Sequence, residues 1–288
     1  ATNSIAIGKN SSVDASMSSA ISIGNGVTNS SYAGTAVGSF ASIGAGSDGA
    51  SAFGGASIGA NCTGASALGS AWADDNSEYS TSVGYGAGVG VGAVGASTFG
   101  KWAEAAAAAT NAIAMGVSAK AWKPNSHAIG QLAIAKGTDS IAIGRSATAG
   151  LSVAAGDASE KIDAIAIGRI ANANNEGAIS IGYSADTWNY GAVAIGRDAQ
   201  SSGDGAIALG QDAIVNNSAT NSVALGFATW ADGVSVISIG DSASATGARS
   251  LSMGFNSTAG GLASVAIGDV ATASGGSDTV MGDGAKTG

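Results

Sequence analysis

The side chains that could carry out acid–base chemistry are few in this sequence. His127, in the segment NSHAIG, is the only histidine, and Cys62 is the only cysteine. A Ser–His–Asp triad needs an exposed histidine beside an activated serine, and one cysteine cannot form an intrachain disulfide or a cysteine-rich zinc site. We therefore predict that the chain is not an enzyme, with no catalytic residue, no cofactor and no metal site.

The best candidate for binding a cation is the acidic cluster Asp74, Asp75 and Glu78, in ADDNSEY. Carboxylate oxygens are ligands that Ca²⁺ prefers. A solvated acidic loop accounts for the same residues, and the calcium-binding nonapeptide GGxGxDxUx is absent. The solvated loop is the interpretation we favour.

Several of the few large aromatic side chains fall in polar connecting segments, where they could contact a ligand. Exposed tryptophan is uncommon unless it covers or binds something. Plugging of coil corners is the structural alternative for these rings. The predicted ligand contacts are Lys120, Trp122, Lys123, Trp188, Tyr190 and Trp230.

Composition and charge exclude several classes of protein. The 288 residues include 47 glycines and 1 proline, and alanine is the most frequent apolar residue, so a conventional core of large side chains is difficult to build. The net charge of −9 argues against binding to nucleic acid or to anionic lipid. No apolar run is long enough to span a bilayer. The first residues already lie inside a repeat, so we expect a piece of a longer protein.

A glycine recurs about every fourteen residues and closes a short apolar phrase each time. The residue before it is large and apolar, the residue two before is Ala, Ser or Thr until Val280, and the residue three before is usually Ile or Val. This alternation with a period of two predicts a β-strand. The marker glycines are Gly8, Gly24, Gly38, Gly54, Gly69, Gly84, Gly100, Gly116, Gly130, Gly144, Gly156, Gly168, Gly182, Gly196, Gly210, Gly226, Gly240, Gly254, Gly268 and Gly282.

A second, shorter alternation follows each marker, as at Ala171 and Ala173, and a polar connector follows that. Strand, glycine turn, short strand and connector fit one coil of a parallel β-solenoid. We predict an all-β chain with a single repeat array over residues 1–288. Coils 38–100 are irregular and rich in glycine, and a loop leaves the array within 145–167.

The two faces of each strand differ in size, and we expect the branched aliphatic side chains to fill the roll. In one thin roll, the free energy gained by burying apolar side chains is small compared with the entropy cost of ordering the chain. We therefore expect the face of small residues to pack against further copies. His127 stands at an inward position, either as a satisfied interior side chain or as a polar residue at the oligomer axis that responds to pH or holds an ion. The predicted interface residues are Ala6, Ser22, Ala142, Ala166, Ser180, Ala194 and Ala208.

The phrases SIAIG, AISIG, AIAIG, SVALG and SVAIG, each followed by a polar pair and a motif close to A-x-A, resemble the YadA-like head repeats of trimeric autotransporter adhesins. The resemblance extends over nearly the whole chain. It implies a left-handed parallel β-roll that assembles as a homotrimer and is displayed at the outer membrane of a Gram-negative bacterium. We expect an isolated head, whose only link to the membrane is an anchor outside this sequence.

The resemblance also implies a virulence-associated function in cell adhesion, through attachment to extracellular matrix protein, host cells or other surfaces. It does not identify the ligand. The alternative is a purely structural spacer of a surface fibre with no ligand of its own. Substitutions at the surface would leave the function of a spacer intact and would impair an adhesin.

Overall fold

A computed structural model gives the structure of the chain and describes residues 2–150 and 162–287. The described residues form strands and turns, with no helix among them. The chain divides into two compact units, Ala1–Ser146 and Ala147–Gly288. The single continuous array over residues 1–288 remains a prediction.

In the first unit, each coil contributes a strand that ends near its marker glycine and a shorter strand a few residues later. The strands of this unit are β1 (Ile5–Ile7), β2 (Ser12–Val13), β3 (Ile21–Ile23), β4 (Thr28–Asn29), β5 (Thr35–Val37), β6 (Ser42–Ile43), β7 (Ser51–Gly54), β8 (Ser57–Ile58), β9 (Ser66–Ala73), β10 (Thr81–Val89), β11 (Ser97–Phe99), β12 (Glu104–Ala105), β13 (Ile113–Met115), β14 (Lys120–Ala121), β15 (His127–Ile129), β16 (Ile134–Ala135) and β17 (Ile141–Ile143).

The second unit repeats the same plan. Its described strands are β18 (Thr148–Ala149), β19 (Ile165–Ile167), β20 (Asn172–Ala173), β21 (Ile179–Ile181), β22 (Asp186–Thr187), β23 (Val193–Ile195), β24 (Gln200–Ser201), β25 (Ile207–Leu209), β26 (Ile214–Val215), β27 (Val223–Leu225), β28 (Trp230–Ala231), β29 (Ile237–Ile239), β30 (Ser244–Ala245), β31 (Leu251–Met253), β32 (Thr258–Ala259), β33 (Val265–Ile267), β34 (Thr272–Ala273) and β35 (Thr279–Met281).

Successive coils pair in parallel and in register, so that each coil position forms a column along the unit. Ser180 of β21 pairs with Ala194 of β23, and Asp186 of β22 pairs with Gln200 of β24. Within each unit, first strands pair with first strands (the first-strand sheet) and second strands pair with second strands (the second-strand sheet), and in the first unit β9 and β10 join the two. The predicted fold class is confirmed: the chain is a parallel β-solenoid of about 19 coils with a spacing of about 14 residues.

The glycine-rich coils within residues 38–100 contain the two longest strands. β9 and β10 continue through Gly69 and Gly84 into the second strand of their coils. Their pairing shifts register between Tyr85 and Gly88. The loop predicted within 145–167 falls largely on residues 151–161, which lie outside the described part of the chain.

Alanine and serine fill the interior of the coils. Around Gly196, the residues Ala192, Ala194, Ala199 and Ser201 have no accessible surface. Ile195, one residue from Ala194, points out of the roll and is half-buried. The same arrangement recurs from coil to coil, with small side chains inside and branched ones outside.

The predicted orientation of the two faces is therefore wrong. A coil of about fourteen residues brings its two strands so close together that alanine and serine occupy most interior positions, with valine or isoleucine at a few, such as Val215 and Ile43, and most branched side chains point outwards. A side chain enclosed in its own coil cannot contact another copy of the chain. Of the residues predicted to do so, Ala6 in the first coil is exposed, whereas those with no accessible surface are Ser22, Ala142, Ala166, Ser180, Ala194 and Ala208.

The interior placement of His127 is wrong for the same reason. His127 lies in the outward column between Ile113 and Ile141. It is half-buried, and it interrupts a row of aliphatic side chains instead of a row of alanines.

The marker glycines are required by the close stacking of the coils. Gly196 has a φ of +139°, and a Cβ atom added there would collide with the carbonyl oxygen of Gly210 in the next coil. Gly191, in the connector before it, has a φ of +59° and no heavy atom within 4 Å of an added Cβ. Gly196 therefore meets both a conformational and a steric requirement, whereas Gly191 meets only the conformational one.

Gly196→Ala should therefore destabilise the protein more than Gly191→Ala. We expect the first substitution to lower the free energy of unfolding by more than about 3 kcal/mol, because a coil must shift. The second should cost about 1–2 kcal/mol, the usual penalty for a left-handed residue. Urea denaturation of both variants measures the difference, and equal losses would contradict the stacking requirement.

Candidate functional site

The outer side of the first-strand sheet is apolar. In the second unit, this apolar face is formed by the first and third residues of the first strands, and several of its side chains are about 40% exposed. An apolar surface of this extent marks a site of interaction. Its members in the second unit are Ile165, Ile167, Ile179, Ile181, Val193, Ile195, Ile207, Leu209, Val223, Leu225, Ile237, Ile239, Leu251, Met253, Val265, Ile267, Thr279 and Met281.

The outer side of the second-strand sheet is polar. This polar face is formed by the first residue of each second strand, and only two of its members in the second unit are large apolar residues, Ile214 and Trp230. The others are Thr148, Asn172, Asp186, Gln200, Ser244, Thr258 and Thr272. The two outer faces of one coil therefore differ in chemistry.

Three of the predicted contact residues lie together in the first unit. Lys120 is on β14, with its Nζ 3.5 Å from Oε2 of Glu104, and Trp122 and Lys123 follow in the connector. Lys136, one coil later, places its Nζ 5.1 Å from the centre of the Trp122 ring. Sequence analysis missed Lys136, although it stands at the same distance from its marker glycine as Trp122.

The other predicted contacts lie in the second unit on two different elements. Trp188 and Tyr190 are in the connector after β22 and are 43% and 50% exposed. Trp230 is on the polar face, between Ile214 and Ser244 in register. The structure brings Trp188 and Tyr190 together and places Trp230 in a separate position.

The indole ring of Trp188 is fixed by the residue two before it. Its N–H donates a hydrogen bond to the Asp186 carboxylate, which also accepts one from Nδ2 of Asn174 at 2.8 Å. Burial raises the pKa of Asp186, and these two hydrogen bonds oppose that effect. The ring is thus held in place by its polar edge.

A cleft of about 370 Å³ opens beside this ring and is lined by Trp188, Asn189, Ser202 and Asn217. Asn189 Nδ2 donates to Oδ1 of Asn217 at 3.0 Å, two coils away. Sequence analysis missed the three polar residues, because they come from three different connectors. Aligning the coils on their marker glycines could have found them, because all three residues follow the second strand of their coil.

The acidic cluster does not form a ligand set. Asp75 Oδ1 accepts a hydrogen bond from the backbone N–H of Ala60 at 2.7 Å. Burial, and then the Asp75 carboxylate, raise the pKa of Asp74. Within residues 2–150 and 162–287, no group of three or more His, Cys, Asp and Glu side chains is close enough to hold a metal ion.

These features define the class of the protein as a β-roll repeat protein that presents a long repetitive surface. None of its described segments is a helix that could span a membrane.

The family model described as the YadA head domain repeat matches residues 107–133, 135–150, 159–185, 189–213, 218–243, 232–257 and 245–271. These matches cover just over half of the chain. The chain therefore belongs to the YadA head family, as the resemblance predicted. A comparison with curated proteins gives no match. Membership implies an adhesin-type function at the bacterial cell surface, and proteins of this family and fold are typically not enzymes.

Asp186→Asn should remove a dependence of stability on pH. The pKa of Asp186 in the folded chain is above the ordinary value of 3.8, so the folded chain binds this proton more readily than the unfolded chain. The contribution of Asp186 to stability is therefore fully present below the ordinary pKa and is lost as pH rises through the folded pKa.

The measurement is the free energy of unfolding of both proteins by urea denaturation at a series of pH values. Relative to Asp186→Asn, the wild-type protein should lose stability over the interval in which pH rises from below the ordinary pKa of 3.8 through the raised pKa of the folded chain. A gain over the same interval would show that the pKa is lowered instead.

Proposed function

We propose that the chain is a non-enzymatic adhesin head that attaches a Gram-negative bacterium to host extracellular matrix, host cells or other surfaces. The observation that carries the proposal is the difference between the two outer faces. The apolar face supplies a surface for copies of the same chain, and the polar face and its connectors stay free for another partner. Membership of the YadA head family supports a place at the cell surface, beyond the outer membrane.

We propose a homotrimer that assembles through the apolar face. Outward residues such as Ile181 and Ile195 are aligned in register along the unit, so neighbouring copies can cover one continuous strip. Burying each branched side chain would contribute on the order of 1.5–3 kcal/mol, which the alanine interior of a single coil cannot supply. His127, on the corresponding face of the first unit, would then lie near the axis of the assembly.

The proposed ligand contacts are the predicted ones, Lys120, Trp122, Lys123, Trp188, Tyr190 and Trp230. The locations of these residues support the proposal, because Lys120 and Trp230 lie on the polar face and the others lie in the connectors that follow it. Affinity would come from several weak contacts multiplied over the copies in an assembly and over many molecules on one cell.

The apolar face is tested by Ile195→Asp, which places a charge in the proposed contact between copies. A buried and unpaired carboxylate is costly, so we expect the assembly to dissociate or to weaken by at least about tenfold. Gln200→Asp, on the polar face of the same coil, is the matched control and should leave the assembly intact. Light scattering after size exclusion measures the mass of each protein. Assembly that survives Ile195→Asp unchanged would refute this interface.

Adhesion is tested with the purified oligomer on collagens, fibronectin, laminin, host cells and bare plastic. A triple variant, Trp122→Ala, Trp188→Ala and Trp230→Ala, should lose at least about tenfold in binding to the surface that the wild type prefers, since tryptophan side chains dominate contact energies. The control variant carries Gln200→Ala, Ser244→Ala and Thr258→Ala on the polar face. Failure of the folded wild-type oligomer to bind any surface would refute the adhesin proposal and favour a spacer.

A further inference from the structure

We propose that the cleft beside Trp188 binds a neutral pyranose unit of a glycan, which stacks on the indole and hydrogen-bonds to Asn189, Ser202 and Asn217. The inference rests on the proposed adhesive function and gives it a class of ligand. Four properties of the cleft support the inference: the stacking of its connectors, the position of the Trp188 indole, the polar atoms that no described protein group bonds and the uncharged lining.

The cleft lies where one coil has glycine and its two neighbours carry amides. Backbone hydrogen bonds place the connectors in register, with Trp188 N donating to Ser201 O at 3.1 Å and Ser202 N donating to Val215 O at 2.9 Å. The residues that follow are Asn189, Gly203 and Asn217, and a Cβ atom at Gly203 would collide with the backbone of the next coil. The glycine is therefore required by the stacking of the coils, and the Asn189 and Asn217 side chains meet across its coil at 3.0 Å. The volume of the cleft, about 370 Å³, is within the range of small-molecule sites.

The aromatic wall of the cleft is held in place before any ligand binds. The Trp188 N–H is engaged by Asp186, and Asn175 Nδ2 donates to the Trp188 carbonyl oxygen at 3.3 Å. The indole is 43% exposed and presents apolar ring surface to the cleft. The axial C–H groups of a pyranose form an apolar patch that fits against such a surface, and a fixed ring loses little entropy when a ligand binds.

The polar wall combines a fixed amide with free groups. Asn189 uses its Nδ2 to bond both the Ser202 carbonyl oxygen and Asn217 Oδ1. Among the described residues, no protein group bonds to Asn189 Oδ1, Asn217 Nδ2 or the Ser202 hydroxyl. They offer one acceptor, one donor and one group that does both. Sugar hydroxyls likewise donate and accept, so a pyranose can satisfy all three.

The charges around the cleft favour a neutral sugar. None of the four lining residues is charged, and the chain carries a net charge of −9. The carboxylate of Asp232 accepts a hydrogen bond from Asn216 Nδ2 at 2.7 Å, in the connector that also supplies Asn217. An acidic sugar would meet no cation here and would be repelled. A peptide side chain would find only one apolar lining residue.

Trp122 occupies the same coil position in the first unit but has different surroundings. There the next coil carries Lys136, whose Nζ is 5.1 Å from the ring centre, in place of the serine that follows Trp188. The cation lies over the indole and competes with a sugar for its surface. The difference predicts that the neutral-glycan site is at Trp188, and the control variant is Ser244→Ala on the polar face, which should leave glycan binding unchanged.

The experiment uses the full 288-residue oligomer on a printed array of neutral and acidic glycans, with titration calorimetry of the best neutral oligosaccharide. We expect weak binding, on the order of 1 mM for each site. Trp188→Ala should weaken it at least about tenfold and Asn217→Ala at least about threefold. Asn217→Ala removes an exposed amide and leaves Trp188 and Asp186 in place, so it tests the cleft even if Trp188→Ala fails to fold.

The proposal would be overturned if the wild type bound no neutral glycan, if neutral-glycan binding survived both cleft variants, or if binding were restricted to acidic glycans. A proline-rich peptide that binds the cleft in place of sugars would also overturn it. If the oligomer adheres to surfaces while no neutral glycan binds, the glycan proposal fails and the adhesin stands. If a neutral glycan binds through Trp188 while no surface is bound, the cleft stands and the adhesin fails.

Discussion

The narrow space between the two strands of a coil is the constraint on which the rest of the structure depends. Alanine and serine occupy most interior positions, as at Ala192, Ala194 and Ala199, and valine or isoleucine enters at only a few of the described ones. Most of the branched residues that β-strands favour therefore lie outside, and they form the apolar face. The small interior and the exposed aliphatic strip have a single cause, and a single chain leaves that strip uncovered.

The second consequence of this narrowness is that backbone packs directly on backbone. The marker glycines stack on one another, and a methyl group at Gly196 would meet the carbonyl oxygen of Gly210. Because coils are in register, residues far apart in sequence become neighbours whenever they share a coil position. Asn189 and Asn217 lie in this relationship, and so do Trp122 and Lys136.

The strands could be predicted from the sequence because both a period of two and a repeat of about fourteen residues are visible in it. The direction in which each face points could not be predicted from alternation alone, since exchanging the two faces preserves the pattern. The error at Ala194 and at His127 came from assuming that larger side chains lie inside. The narrow range of residue types in the alanine columns was the better guide, because an enclosed position tolerates less variation than an outer one. Trp188 and Tyr190 were recognisable as unusual, but Asn189, Ser202 and Asn217 acquire meaning only when the register of three connectors is known.

In-register stacking also has a consequence for how such a chain can change over generations. Duplicating or deleting one whole coil preserves every pairing pattern on either side, so the length of a unit can vary by recombination without redesign of its interior. The cleft beside Trp188 is different, because its lining residues come from three successive coils, with Ser202 in the middle one. Loss of that coil would keep the fold and destroy the cleft. The number of coils can thus change, whereas coils that form a site together must keep their order.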